Sequence, residues 1–118
     1  MLLRKAADDG ELICIAVTGD VSQALLVPGE DPLAQVAGEN CYARRVFVDL
    51  SAVAWIDSSG VGWLIACQKR FRAAGGVLVV HSPPEFAREM LSTLRLHLVL
   101  RLAADEAEAR HLIANHQE

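Results

Sequence analysis

The run Asp57-Ser58-Ser59-Gly60 holds the residues best suited to chemistry. By itself the string argues for a helix cap. Asp and Ser are favoured at helix N-termini, where a cap stabilises by about 1 kcal/mol. The same position also suits a phosphoserine. A serine there meets free backbone N–H groups and the positive end of the helix dipole. Phosphorylation of Ser58 would add about −1.5 to −2 charges, which the helix end tolerates without a change of fold. A partner packed on the neutral surface would then meet a dianion beside Asp57. Burying that charge unpaired costs several kcal/mol, enough to dissociate a complex.

Other reactive side chains point to less. Cys14, Cys41 and Cys67 are widely spaced, with no paired motif for zinc or redox work. Cys14 and Cys67 read as small core hydrophobes. His81, His97, His111 and His116 show no ligand spacing and read as surface or edge histidines. Lys69, Arg70 and Arg72 read as a solvated helix face. Asp49 reads as a loop-capping carboxylate and Trp55 as a core aromatic. Trp63 suits a half-buried core position or a partner-facing anchor equally. A nucleophilic enzyme is disfavoured, because Ser58 sits in no Gly-x-Ser-x-Gly elbow and no histidine is evidently placed as its base.

The elements that must position Ser58 are legible around it. Val46–Leu50 is a strand, and Trp55-Ile56 leads through a short loop into a helix over Gly60–Ala73. Gly75-Gly76 closes that helix. Val77–Val80 is an apolar run without alternation, so both its faces should be covered. Ser82-Pro83-Pro84-Glu85 reads as a capping box opening a helix with Phe86, Ala87, Met90, Leu91 and Leu94 on one face. Leu96–Leu102 reads as a further strand. Asp105 and Glu108 form a second capping box before a last helix to about Asn115.

Upstream, Leu2–Ala6 and Leu12–Val17 are strands joined at Asp8-Asp9-Gly10, an N-terminal hairpin. Val21–Val27 suits the start of a helix that Pro28-Gly29 interrupts. Asp31 as N-cap and Pro32 at the first helical position open a short helix ending near Gly38. The order after residue 45 is β-α-β-α-β-α. Right-handed crossovers make that a mostly parallel sheet of about five strands, with an antiparallel hairpin edge and three to four helices. The 118 residues suit one α/β domain over 1–118, and 53% hydrophobic residues supply its core.

Charge and hydropathy exclude several roles. A net charge of −4, with 15 acidic against 11 basic residues, opposes nucleic-acid binding. No apolar run approaches the roughly 20 residues of a membrane span, so direct membrane insertion is not expected. The N-terminus reaches acidic residues too soon for a signal peptide, and a reducing cytoplasm is the expected setting.

Val46-Phe47-Val48-Asp49-Leu50-Ser51, Ile56-Asp57-Ser58-Ser59-Gly60-Val61-Gly62 and Gly75-Gly76-Val77-Leu78-Val79-Val80 together resemble the STAS domain family. That family includes bacterial anti-sigma factor antagonists and the cytoplasmic tails of sulfate transporters. The resemblance spans roughly residues 43 to 103, with the strand Leu12–Gly19 joining it. It implies a non-enzymatic regulator of transcription that binds an anti-sigma factor serine kinase and so frees a sigma factor. Phosphorylation at Ser58 would switch it off and a PP2C-type phosphatase would reset it. ATP would belong to the kinase, and this chain would carry no cofactor or metal. The implied partner surface comprises Asp57, Ser59, Gly60, Gly62 and Trp63, with Asp20 and Ser22. The antagonists often carry a Gly-Glu-Leu-Asp-like run where this chain has Gly19-Asp20-Val21-Ser22. That difference and the interrupted first helix give the alternative, a non-switching STAS subunit of an ABC lipid-transport or signalling complex.

Overall fold

The computed structural model describes residues 1–22, 27 and 29–114. Their order is β1 (Leu2–Asp8), β2 (Leu12–Val21), α1 (Pro32–Ala37), β3 (Arg45–Ile56), α2 (Ser58–Ala74), β4 (Val77–His81), α3 (Glu85–Thr93), β5 (Arg101–Ala103) and α4 (Glu106–Ala114). Short 3-10 turns occupy Cys41–Ala43 and Leu96–Leu98. The strands form one sheet in the order β1-β2-β3-β4-β5. β1 runs antiparallel to β2, and every other pairing is parallel. This is the mixed, mostly parallel α/β sheet with an N-terminal hairpin edge that the sequence predicts.

The hairpin turn is held by its two aspartates. Asp8 accepts from the Gly10 N–H at 2.9 Å, and Asp9 accepts from Glu11 and Leu12 at 2.9 and 2.8 Å. Gly10 takes φ +91°, a conformation glycine adopts without strain. Arg44, just ahead of β3, pairs with Asp8 at 2.8 Å. Its hydrogen bond, joined by that of Gly10, holds the Asp8 carboxyl at about 2, against an ordinary 3.8. A depressed folded pKa stabilises above the unfolded value and is lost as pH falls through the folded one. Asp8→Asn is therefore expected to flatten the stability profile between pH 4 and 2. Urea midpoints measured at stepped pH check this; parallel profiles for the two proteins would refute it.

The sheet is covered unequally on its two faces. Ile13, Ile15, Val46, Val48, Leu78 and Val80 pack on one side with Leu33, Leu64, Phe71 and Leu91 from α1, α2 and α3. Leu12, Phe47, Val77 and Val79 face the other way, against Ala109 of α4. All five residues of β4 are buried, which explains its unbroken apolar run.

Four sequence readings need correction. Leu96–Leu102 is not one strand. Leu96 and Leu100 are buried while Leu98 and Val99 are exposed, a spacing of four that turns the chain through a 3-10 turn before the three-residue β5. The Ser82 capping box does not form. Ser82 precedes a proline, which disfavours helical backbone, and it takes φ +56° with its N–H on the Ala103 carbonyl. Pro84 occupies the cap position of α3 instead, with no side-chain bond. Leu94 ends α3 exposed rather than on its buried face. Val21 closes β2 rather than opening a helix, and Val27 is not helical; the predicted helix at residues 23–26, and Asn115 at the end of α4, lie outside the described residues. The second capping box does form, with Asp105 accepting from the Glu108 N–H at 2.8 Å.

Candidate functional site at the start of helix α2

β2 and β3 continue together well past the rest of the sheet. Their pairing runs to Val21 opposite Ile56, whereas β3 pairs with β4 only over Arg45–Asp49. Val21 and Ile56 are fully buried and anchor that extension. The chain turns at Asp57, whose N–H reaches the Val21 carbonyl at 3.3 Å, and enters α2 at Ser58.

Asp57 is the N-cap. Its Oδ1 accepts from the Gly60 N–H at 2.8 Å and from the Ser59 hydroxyl at 2.6 Å. Ser59 Oγ lies 3.2 Å from Ser22 Oγ. Hydrogen bonds from the Ser59 hydroxyl, then the Ser22 hydroxyl, then the Gly60 N–H hold the Asp57 carboxyl below its ordinary range. Asp57 thus carries a fixed negative charge at neutral pH. Ser58 occupies the first helical position. It is exposed, and its hydroxyl makes no hydrogen bond among the described residues. Two adjacent serines therefore have different environments: Ser59 is tied into the cap, and Ser58 points a free hydroxyl at solvent.

The other predicted partner residues divide. Asp20 is exposed, opposite Trp55 in the β2–β3 register, and Gly62 is partly exposed. Ser22, Gly60 and Trp63 do not lie on an open surface. Ser22 is 8% exposed because its hydroxyl braces the cap. Gly60 is buried because α2 crosses directly over the end of β2; a Cβ there would lie 2.1 Å from the Val21 oxygen. Trp63 is 8% exposed and belongs to the main core, one turn further along the same buried face. These three build the site rather than present it.

Trp55 is the residue the sequence reading misplaced. It is 55% exposed, and its ring stacks on Phe86 of α3 with centroids 5.9 Å apart. It lies on the part of β3 beyond β4, where no strand covers it. His81 is likewise not a surface residue. It is buried, packed edge-on against Phe47, with Nδ1 2.8 Å from Ser82 Oγ. Arg70 is more than a solvated charge: it pairs with Asp31, lies over the Tyr42 ring, and fastens α1 to α2. Cys67 is buried, and burial pushes its thiol up to about 12, which suits packing and not nucleophilic work. Asp49 accepts from the Ser51 N–H at 2.8 Å within β3. Among the described residues no group of three His, Cys, Asp or Glu side chains is placed to hold a metal ion.

With the fold and site defined, the comparisons fit them closely. The profile of the family described as "Mlab, STAS domain" matches residues 5–102. The chain belongs to the STAS-domain family. TM1081 from Thermotoga maritima superposes with a TM-score of 0.76 at 19% identity, over 90% of each chain. An anti-sigma-factor antagonist (STAS) domain protein from Planctomyces limnophilus gives 0.66 at 20% identity, covering 98% of this chain and 100% of that one. The anti-sigma factor antagonist SpoIIAA in its unphosphorylated form gives 0.60 at 16% identity, covering 97% and 99%. At these identities the likeness is one of fold. No curated protein sequence matches the chain. No helix among the described residues is long and apolar enough to cross a membrane.

Proposed function

We propose that this STAS domain is a non-enzymatic cytoplasmic regulator that binds an anti-sigma factor kinase and is released when Ser58 is phosphorylated. One observation carries the reading: Ser58 offers an exposed, unpartnered hydroxyl at the start of α2, one residue after a charged cap. SpoIIAA, a structural neighbour, has been solved in both unphosphorylated and phosphorylated forms. The physical switch is electrostatic. A phosphate here stands beside the Asp57 carboxylate, and a partner that buries both faces two unpaired charges. That suffices to weaken a complex by about 100-fold or more.

The test is incubation with the anti-sigma kinase and ATP, followed by intact mass. One phosphate is expected on the native protein and on Ser59→Ala, and none on Ser58→Ala. Phosphate persisting on Ser58→Ala would refute the assignment. A second reading is a non-switching subunit of an ABC lipid-transport complex. The six-residue α1, the Ser22 brace and the "Mlab" description of the matching family favour it. A stable complex with an ATPase in the native cell, indifferent to Ser58→Ala, would select it.

A further inference from the structure

A second concavity lies at the C-terminal ends of β4 and β5, apart from the Ser58 site. We propose that it binds a small amphipathic monocarboxylate: one anionic group on a short apolar body. The crevice has a volume of about 330 Å³, within the range of about 300–1,000 Å³ that small ligands occupy. It opens at the carboxyl ends of the parallel strands β4 and β5, where the chain leaves the sheet for the next helix.

Its chemistry is one-sided. Pro83, Leu91 and Leu102 supply apolar wall. Arg88 and Ser92 come from successive turns of α3, and His97 from the 3-10 turn that follows. No carboxylate lines the crevice. Just beyond the lining residue Ala104, Asp105 accepts from the Glu108 N–H at 2.8 Å and Glu108 accepts from the Ala104 N–H at 3.2 Å. The Arg88 guanidinium forms no ion pair among the described residues. A wholly apolar ligand would leave that cation unused. A polyanion would meet one fixed positive charge and too few donors. A single carboxylate on an apolar body satisfies both parts, with its two oxygens accepting from the Arg88 guanidinium in a fork geometry. This inference does not depend on Ser58 or on the identity of any protein partner.

Titration of the isotopically labelled protein with octanoate, followed by amide NMR, tests it. Saturable shifts are expected at Ser82, Arg88, Ser92, His97 and Ala104. Arg88→Gln is expected to weaken octanoate by about tenfold, the value of a charged hydrogen bond, and to leave octan-1-ol unaffected. Ala104→Phe, at an exposed rim position, is expected to block both. Shifts that never saturate, that fall elsewhere, or that are equal in native protein and both variants would overturn the proposal.

Discussion

Gly60→Ala is expected to destabilise the protein by about 3 kcal/mol, the upper part of the range for overpacking. Alanine is the better helix former by about 1 kcal/mol, so propensity alone predicts a gain. Packing opposes it more strongly. The added Cβ would stand 2.1 Å from the Val21 oxygen, 2.7 Å from its carbonyl carbon and 3.0 Å from its Cγ1. Those are mostly backbone atoms, which cannot rotate aside as a long side chain would. The Val21 carbonyl also receives the Asp57 N–H, and Val21 is the last paired residue of β2. Relief requires the start of α2 to lift from the sheet, which carries Asp57, Ser58 and Ser59 with it. Urea midpoints would show the loss, and amide shifts at Asp20, Val21 and Ser22 would show its location. A variant as stable as the native protein would mean that α2 does not sit on β2 so closely.

Phe71→Ala is expected to cost about 4 kcal/mol, by loss of apolar burial plus the cavity left behind. Folded domains of this kind hold about 5–15 kcal/mol in total, so the variant approaches the threshold of folding. Phe71 is fully buried, and Tyr42 meets its ring edge-on at 5.0 Å. Its carbonyl accepts the N–H groups of Gly75 and Gly76, closing α2. Gly76 itself passes so near the Tyr42 and Arg44 carbonyls that a Cβ would lie 2.3 and 2.4 Å from them. The aromatic ring and the backbone closure therefore meet at one point. A lowered urea midpoint with an unchanged slope is the expected signature. A loss below about 1 kcal/mol, the level of a surface change, would contradict the packing.

The mostly parallel sheet with its hairpin edge and the Ser58 position were legible because their signals are local. Unbroken apolar runs mark β2 and β4, and Asp57 with Gly75 punctuates α2. What was not legible depends on contacts made far along the chain. Trp55 was expected in the core and is exposed, and Trp63, for which core and partner-facing positions were equally open, lies in the core, because nothing nearby reveals that β3 outruns β4. β3 itself was expected to end at Leu50; Ser51 and Ala52 interrupt the apolar pattern, yet pairing with β2 carries the strand on to Ile56. Leu96–Leu102 misled because its four leucines alternate strictly, the strand period, yet only Leu96 and Leu100 are buried while Leu98 is exposed. Ser22 looked like a surface substitution and proved to brace the cap from the end of a neighbouring strand.

The overhang of β2 and β3 has a consequence for cooperativity. Beyond Asp49 the sheet narrows from five strands toward a two-stranded ribbon, and that ribbon carries the whole Asp57–Ser58 turn at its tip. The tip is pinned to the rest of the sheet all the same, because Val21, Val53 and Ile56 are buried in the main hydrophobic cluster. Opening the tip therefore disturbs the main core and not a detached unit. An enzyme that phosphorylated Ser58, as proposed, would meet its hydroxyl exposed on a turn that the core holds in place.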